Sequence, residues 1–189
     1  MRKITFSIIG LLLLGALAGG ILWWKEYSST ASNASAAAAF GSASQNASSS
    51  SALGVPDGSV AYQNAHYGFS LAYPKNLSVS ERSEAAGSYT VSFEDEHSNQ
   101  GFQIFVLPYA DSQISLSRIQ EDTHNTAAGT PQEVVLQNGA HALVFESSDP
   151  VLGPLREVWF LHGGYLFEAT GYAGEDEWLA GILSTLRFN

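Results

Sequence analysis

Leu155-Arg156-Glu157-Val158-Trp159-Phe160-Leu161-His162-Gly163-Gly164-Tyr165-Leu166-Phe167-Glu168-Ala169-Thr170 is the stretch that decides the fold class. Two runs rich in β-branched and aromatic residues flank a Gly-Gly pair, which reads as a β-hairpin. Val158 and Phe160 oppose Trp159 and Leu161 across the first run, so it is apolar on both faces. That is expected of a central strand covered on both sides. The alternative leaves one face open to a ligand or partner. Just upstream, Gln132 to Leu136 and Ala140 to Ser147 flank Asn138-Gly139. Asn-Gly between apolar runs is a strong hairpin signal, because both positions of the two-residue turn need positive φ.

Toward the N-terminus, Tyr67, Phe69, Leu71 and Tyr73 alternate with smaller residues, giving a half-buried strand that ends at Pro74. Tyr89, Val91 and Phe93 mark a second strand. Glu94 to Gln100 is a polar turn, and Phe102 to Leu107 is a third strand closing near Pro108. Over 114–125 the period changes: Leu116, Ile119 and Thr123 recur at helical spacing, and Gly129-Thr130-Pro131 follows. A last helix is expected at about 175–187. Trp178, Leu179, Ile182, Leu183 and Leu186 form its apolar stripe, with Glu175, Asp176 and Glu177 in a first turn favoured by the helix dipole. Three strands, a helix, four strands and a helix make an α+β fold: a largely antiparallel sheet of about seven strands with helices packed on it.

Tyr67-Gly68-Phe69-Ser70-Leu71-Ala72-Tyr73-Pro74 resembles the opening strand of PsbP-like domains, and Ile182-Leu183-Ser184-Thr185-Leu186-Arg187-Phe188 resembles their last helix. The resemblance covers roughly residues 62–189. It implies a sandwich that works as a binding or assembly module rather than as an enzyme. No residue of this chain matches a functional site of that family one by one, so the resemblance implies no site residue and no cofactor.

The N-terminal part sets the address. Arg2 and Lys3 precede twenty-one uncharged residues, Ile4 to Trp24, followed by Lys25 and Glu26. A helix of that length spans roughly 30 Å, the thickness of a bilayer's hydrocarbon core. Residues 1–26 are therefore expected to be a transmembrane anchor. The basic start holds the N-terminus in the cytoplasm, and Trp23 and Trp24 sit at the far interface. A cleaved signal peptide is the competing reading, since Ala16-Leu17-Ala18 fits a cleavage site. Ile21 to Trp24 would then leave an apolar new terminus. Both readings export the C-terminal domain. Gly15 and Gly19 have helix-dimerisation spacing, although glycine is common in membrane helices. The chain has no cysteine, so neither a lipoprotein anchor, a disulfide framework nor thiolate chemistry is available.

Residues 27–61 read as a flexible linker. Positions 28–59 hold eleven Ser and nine Ala, with Phe40, Leu53 and Val55 as the only large apolar residues. Such a stretch offers little surface to offset its ordering entropy, and Ala36 to Ala39 is expected to form no more than a transient helical turn. Asn33-Ala34-Ser35, Asn46-Ala47-Ser48 and Asn76-Leu77-Ser78 match the N-glycosylation pattern.

Residues 62–189 suit one domain with one core. They carry sixteen Asp and Glu against five Lys and Arg, a formal charge of −11. That argues against nucleic acid or an anionic membrane surface as a partner, because phosphate binding needs clustered cations. It permits a basic protein or a divalent cation. Glu94-Asp95-Glu96-His97 is the densest polar cluster, and its ligand types suit Ca²⁺, Mn²⁺ or Zn²⁺. The competing reading is the solvated tip of a hairpin. Glu121 and His124, beside Asp122, are three apart on the expected helix. His162-Gly163-Gly164 is similar to an esterase oxyanion segment, but no G-x-S-x-G elbow accompanies it, so a hairpin turn is expected. His141 alternates with Leu143 and Phe145 and is expected to be buried and hydrogen-bonded. No catalytic residue set stands out. The expected function is a non-enzymatic envelope protein that binds a partner protein. A tethered sensor for a small ligand or divalent cation is the alternative, and an envelope hydrolase stands further off.

Overall fold

The computed structural model describes residues 29–42, 55–98 and 100–189. In chain order their elements are α1 (Ser29–Ser42), β1 (Ser59–Asn64), β2 (Phe69–Pro74), β3 (Ser78–Ser83), β4 (Tyr89–Glu94), β5 (Gly101–Pro108), α2 (Leu116–Asp122), β6 (Ala128–Val135), β7 (His141–Asp149), β8 (Gly153–His162), β9 (Tyr165–Tyr172), α3 (Asp176–Ser184) and β10 (Arg187–Phe188). Seven strands pair in the order β3-β4-β5-β9-β8-β7-β6, and β1, β2 and β10 form a second, three-stranded sheet. Every pairing is antiparallel.

The hairpin of β8 and β9 is the centre of the large sheet. Gly163 and Gly164 stand at φ 59° and 83° directly between the paired His162 and Tyr165, the two-residue turn expected. The Asn-Gly hairpin differs. Only Gly139 has positive φ, and Leu136 and Ala140 close a three-residue loop through a 2.9 Å bond from Leu136 N–H to Ala140 O. Asn138 contributes its side-chain oxygen to Ala140 N–H at 3.0 Å instead of a left-handed backbone.

Strand alternation sorts the side chains into two cores. Val158, Phe160, Phe167 and Ala169 face one way and join Phe69, Leu71, Phe93, Phe102 and Leu179 in the main core. Phe93 stacks on Phe102 at 4.4 Å and Phe160 on Phe167 at 5.3 Å between ring centres. Trp159 and Leu166 face the other way, where they pack with Phe145 of β7 under Ile119 of α2. The expectation of a central strand covered on both faces is met.

Three strands carry no strong sequence signal. β3 is a terminal strand whose residues are almost all exposed, with only Val79 packed inward. β1 begins at Ser59, ahead of the expected domain start at 62. β10 takes the last residues expected in the closing helix. That helix ends at Ser184 because the Thr185 hydroxyl accepts Ala72 N–H at 2.8 Å, and Arg187 then pairs with Ser70. β2 is buried from Phe69 to Ala72 rather than on alternate residues, being the middle strand of its sheet and lying against α3.

The expectation that 27–61 is wholly a flexible linker is corrected at residues 29–42. They form α1, which packs on β6, β7 and α3. Asn33, Ala36 and Phe40 are buried at helical spacing, at 0%, 0% and 2% exposure. Small residues let the helix approach closely, and one aromatic ring suffices as an anchor. Asn33 Nδ2 donates to Ala128 O at 3.0 Å, and its Oδ1 accepts from Arg156 Nη1 at 2.9 Å. The buried amide of Asn33 is therefore spoken for and cannot carry a glycan while α1 is docked. The expected membrane segment in 1–26, linker residues 27–28 and 43–54, and Asn46 lie outside the described residues. Among the described residues no helix is long and apolar enough to cross a membrane.

Asn33→Ala should destabilise the full chain by about 2–3 kcal/mol in denaturant unfolding, since it removes the buried amide that bonds Arg156 Nη1 and the Ala128 carbonyl. Ser35→Ala removes the same glycosylation pattern at an exposed position and should leave stability unchanged.

Candidate functional site

The cluster Glu94, Asp95, Glu96 and His97 sits at the β4–β5 hairpin tip. Asp95 Oδ1 accepts His97 N–H at 2.8 Å, and its Oδ2 accepts from Asn76 Nδ2 at 3.0 Å. The His97 N–H, then Asn76, hold the Asp95 carboxyl below its usual range. Ser78 Oγ donates to Glu96 at 3.4 Å. Asp95 thus caps the turn and ties it to the β2–β3 loop. Among the described residues no three His, Asp or Glu side chains are grouped so as to hold a metal ion.

Two further expectations change. α2 ends at Asp122, and His124 and Asn125 follow in left-handed conformations, so Glu121 and His124 do not share a helix face. His141 is exposed and pairs with Glu133 at 2.8 Å, not buried, because it lies where β6 and β7 meet the loop on the solvent side. His162 occupies the hairpin turn as expected, with its ring stacked on Phe188 at 3.6 Å; partial burial lowers its pKa.

A buried acidic group lies beneath α2, where the strand pattern alone drew no attention to it. Glu157 accepts from Ser147 Oγ at 2.7 Å, Thr170 Oγ1 at 2.8 Å and Trp159 Nε1 at 3.1 Å. Burial pushes its carboxyl up against those donors. Glu168 is driven well above the usual range by burial and by the neighbouring charges of Asp122 and Glu157. The Asp122 carboxyl lies beside it. Asp122 in turn meets Arg118 at 2.5 Å, although burial still lifts its carboxyl. A signal was present: Glu157 and Glu168 are charged positions in otherwise apolar central strands, on the same inward alternation as Trp159 and Leu166. Glu157 and Glu168 are buried, while Asp122 and Arg118 at the edge of the group are partly exposed.

An open cleft of about 400 Å³ lies elsewhere, between the β1–β2 turn and strand β3. Asn64, His66, Tyr67, Glu81 and Tyr89 line it. The hydroxyls of Tyr62 and Tyr89 are 2.8 Å apart, and Asn64 Nδ2 donates to the first at 3.2 Å. Burial, with Glu81 beside them, keeps both hydroxyls protonated. Tyr67 packs against Tyr89 at 5.1 Å and edge-on to Tyr165 at 5.3 Å, and its hydroxyl donates to Gly87 O at 3.1 Å. The lining thus brings aromatic rings, hydroxyls and the Glu81 carboxylate together on one concave surface.

No family model and no curated protein matches the chain. The solution structure of cyanobacterial PsbP from Synechocystis sp. PCC 6803 is similar, with a TM-score of 0.48 and 15% identity over 74% of this chain and 98% of that one. It belongs to the family that the Tyr67–Pro74 strand and the closing helix resemble. It assigns no partner, ligand or residue role to this chain.

The raised carboxyls fix a pH dependence. A carboxyl whose pKa is raised by folding supports the fold while protonated and loses that support as pH climbs through the folded value. Thermal stability should therefore fall as pH rises above the ordinary carboxylate range. Glu168→Gln supplies a donor for Asp122, so it should flatten that slope and melt about 3–5 °C above the parent at the alkaline end. Melting curves from that range upward check both.

Proposed function

We propose that the protein is a non-enzymatic binding or assembly module, anchored in a membrane by residues 1–26, whose domain recognises a partner protein on the extracytoplasmic side. The observation that carries this reading is the docking of α1. Among the described residues the first element, α1, starts at Ser29, and four residues, 25–28, lie between the apolar segment 4–24 and that helix in the sequence. Four residues span at most about 14 Å. A domain on a leash that short is held at the membrane surface, where its effective concentration toward a neighbouring protein is high. The acidic balance of the domain supports a basic partner surface, reached faster and discriminated better through charge complementarity.

Cross-linking the tagged full-length protein in its own cells, followed by mass spectrometry, tests this. One dominant envelope partner and an intact Met1-to-Trp24 segment are expected. No partner above background, or a terminus created by cleavage after Ala18, would overturn the reading.

A further inference from the structure

We infer that the cleft between β1 and β3 receives a basic side chain, Lys or Arg, from an extended segment of the partner protein. This rests on the partner-binding reading above and names the chemistry that the partner must present.

The cleft is built before any guest arrives. Tyr67 is pinned by its hydroxyl bond to Gly87, by its rings' contacts with Tyr89 and Tyr165, and by its N–H, which donates to Asn64 Oδ1 at 3.0 Å. Its partners leave it little rotamer freedom to lose on binding. The lining offers aromatic faces, hydroxyl oxygens and the exposed carboxylate of Glu81. It contains no Lys or Arg. Arg82, the nearest cation along β3, points to the opposite face by strand alternation and is held by Glu84 at 2.6 Å. A cation in this cleft gains a ring face and a carboxylate together. An anion meets Glu81, and a neutral chain gains only area. The chain's formal charge of −10 acts in the same direction over longer range.

The occupant is a peptide segment rather than a loose cation because of what flanks the opening. β1 ends the three-stranded sheet and β3 ends the seven-stranded one. A strand at a sheet's end presents backbone groups that an extended chain pairs with, while its alternate side chains enter adjoining pockets. About 400 Å³ accommodates one long side chain with part of its backbone.

The test uses the full-length chain in lipid nanodiscs and two photo-reactive heptapeptides that differ only in a central lysine or norleucine. The lysine peptide should cross-link to residues 63–67 and 81–89, and the norleucine peptide should not. Glu81→Gln should cut capture about tenfold, while Glu84→Gln, one alternation away, should not. Equal capture of both peptides, capture insensitive to Glu81→Gln, or displacement of the lysine peptide by equimolar spermidine would overturn the inference. The in-cell experiment separates the two levels. A partner whose cross-links lie away from these residues removes the cleft assignment and leaves the partner-binding reading standing; no partner at all removes the reading itself.

Discussion

Arg156 stands inside the fold with about 1% of its side chain exposed, and its charge has to be met where it stands. An unpaired buried cation costs several kcal/mol. Its Nε donates to Asp176 at 2.7 Å, its Nη1 to Asn33 at 2.9 Å, and its Nη2 lies 3.7 Å from Glu146. Those partners come from α3, α1 and β7. Asp176 also occupies the first turn of α3, where the helix dipole favours a carboxylate. One side chain on a central strand therefore sets where two helices sit on the sheet. Phe40 and Ala36 add apolar contact to the α1 side of that arrangement.

The opposite face answers the reverse problem with different chemistry. There the buried side chains are acidic, and neutral donors and one ion pair meet them. Glu157 is surrounded by three neutral donors, burial and neighbouring carboxyls push the Glu168 carboxyl well up, and Arg118 serves Asp122. α2 has only seven residues and would not persist alone. It holds because Ser115 caps its start by accepting Arg118 N–H at 3.1 Å and because Ile119 is buried against Phe145, Trp159 and Leu166. At the sheets' outer edges the tyrosine cleft joins aromatic rings to the exposed Glu81 carboxylate.

Much of this was legible in the residues. The Gly163-Gly164 turn, the two-faced apolar run from Val158 to Leu161 and the stripe of α3 follow from periodicity and turn chemistry. What stayed hidden has physical reasons. β3 is polar because a terminal strand faces water, so its composition matches a loop. α1 looks like a tether because Ser and Ala dominate it, and its docking depends on an amide–guanidinium bond between residues 123 positions apart, which no local pattern reports. The Asn-Gly turn was placed correctly but given the wrong geometry, since the Asn138 side chain can satisfy Ala140 without a left-handed backbone. The cleft was invisible for a related reason: its tyrosines and Glu81 come together only when β1 crosses the end of the large sheet. The acidic hairpin tip, conspicuous in sequence, turned out to cap a turn.

Placing the domain at the membrane surface depends on α1 being part of it. Hydrogen exchange of the full-length protein across residues 29–42 tests that dependence most directly. Amides of 33–40 should be protected to a degree comparable with β6 and β7, and Arg156→Met should release them selectively while the β8–β9 hairpin stays protected. Exchange of 33–40 at the rate of an unstructured chain in the parent protein would contradict the docked helix and return this stretch to a free tether.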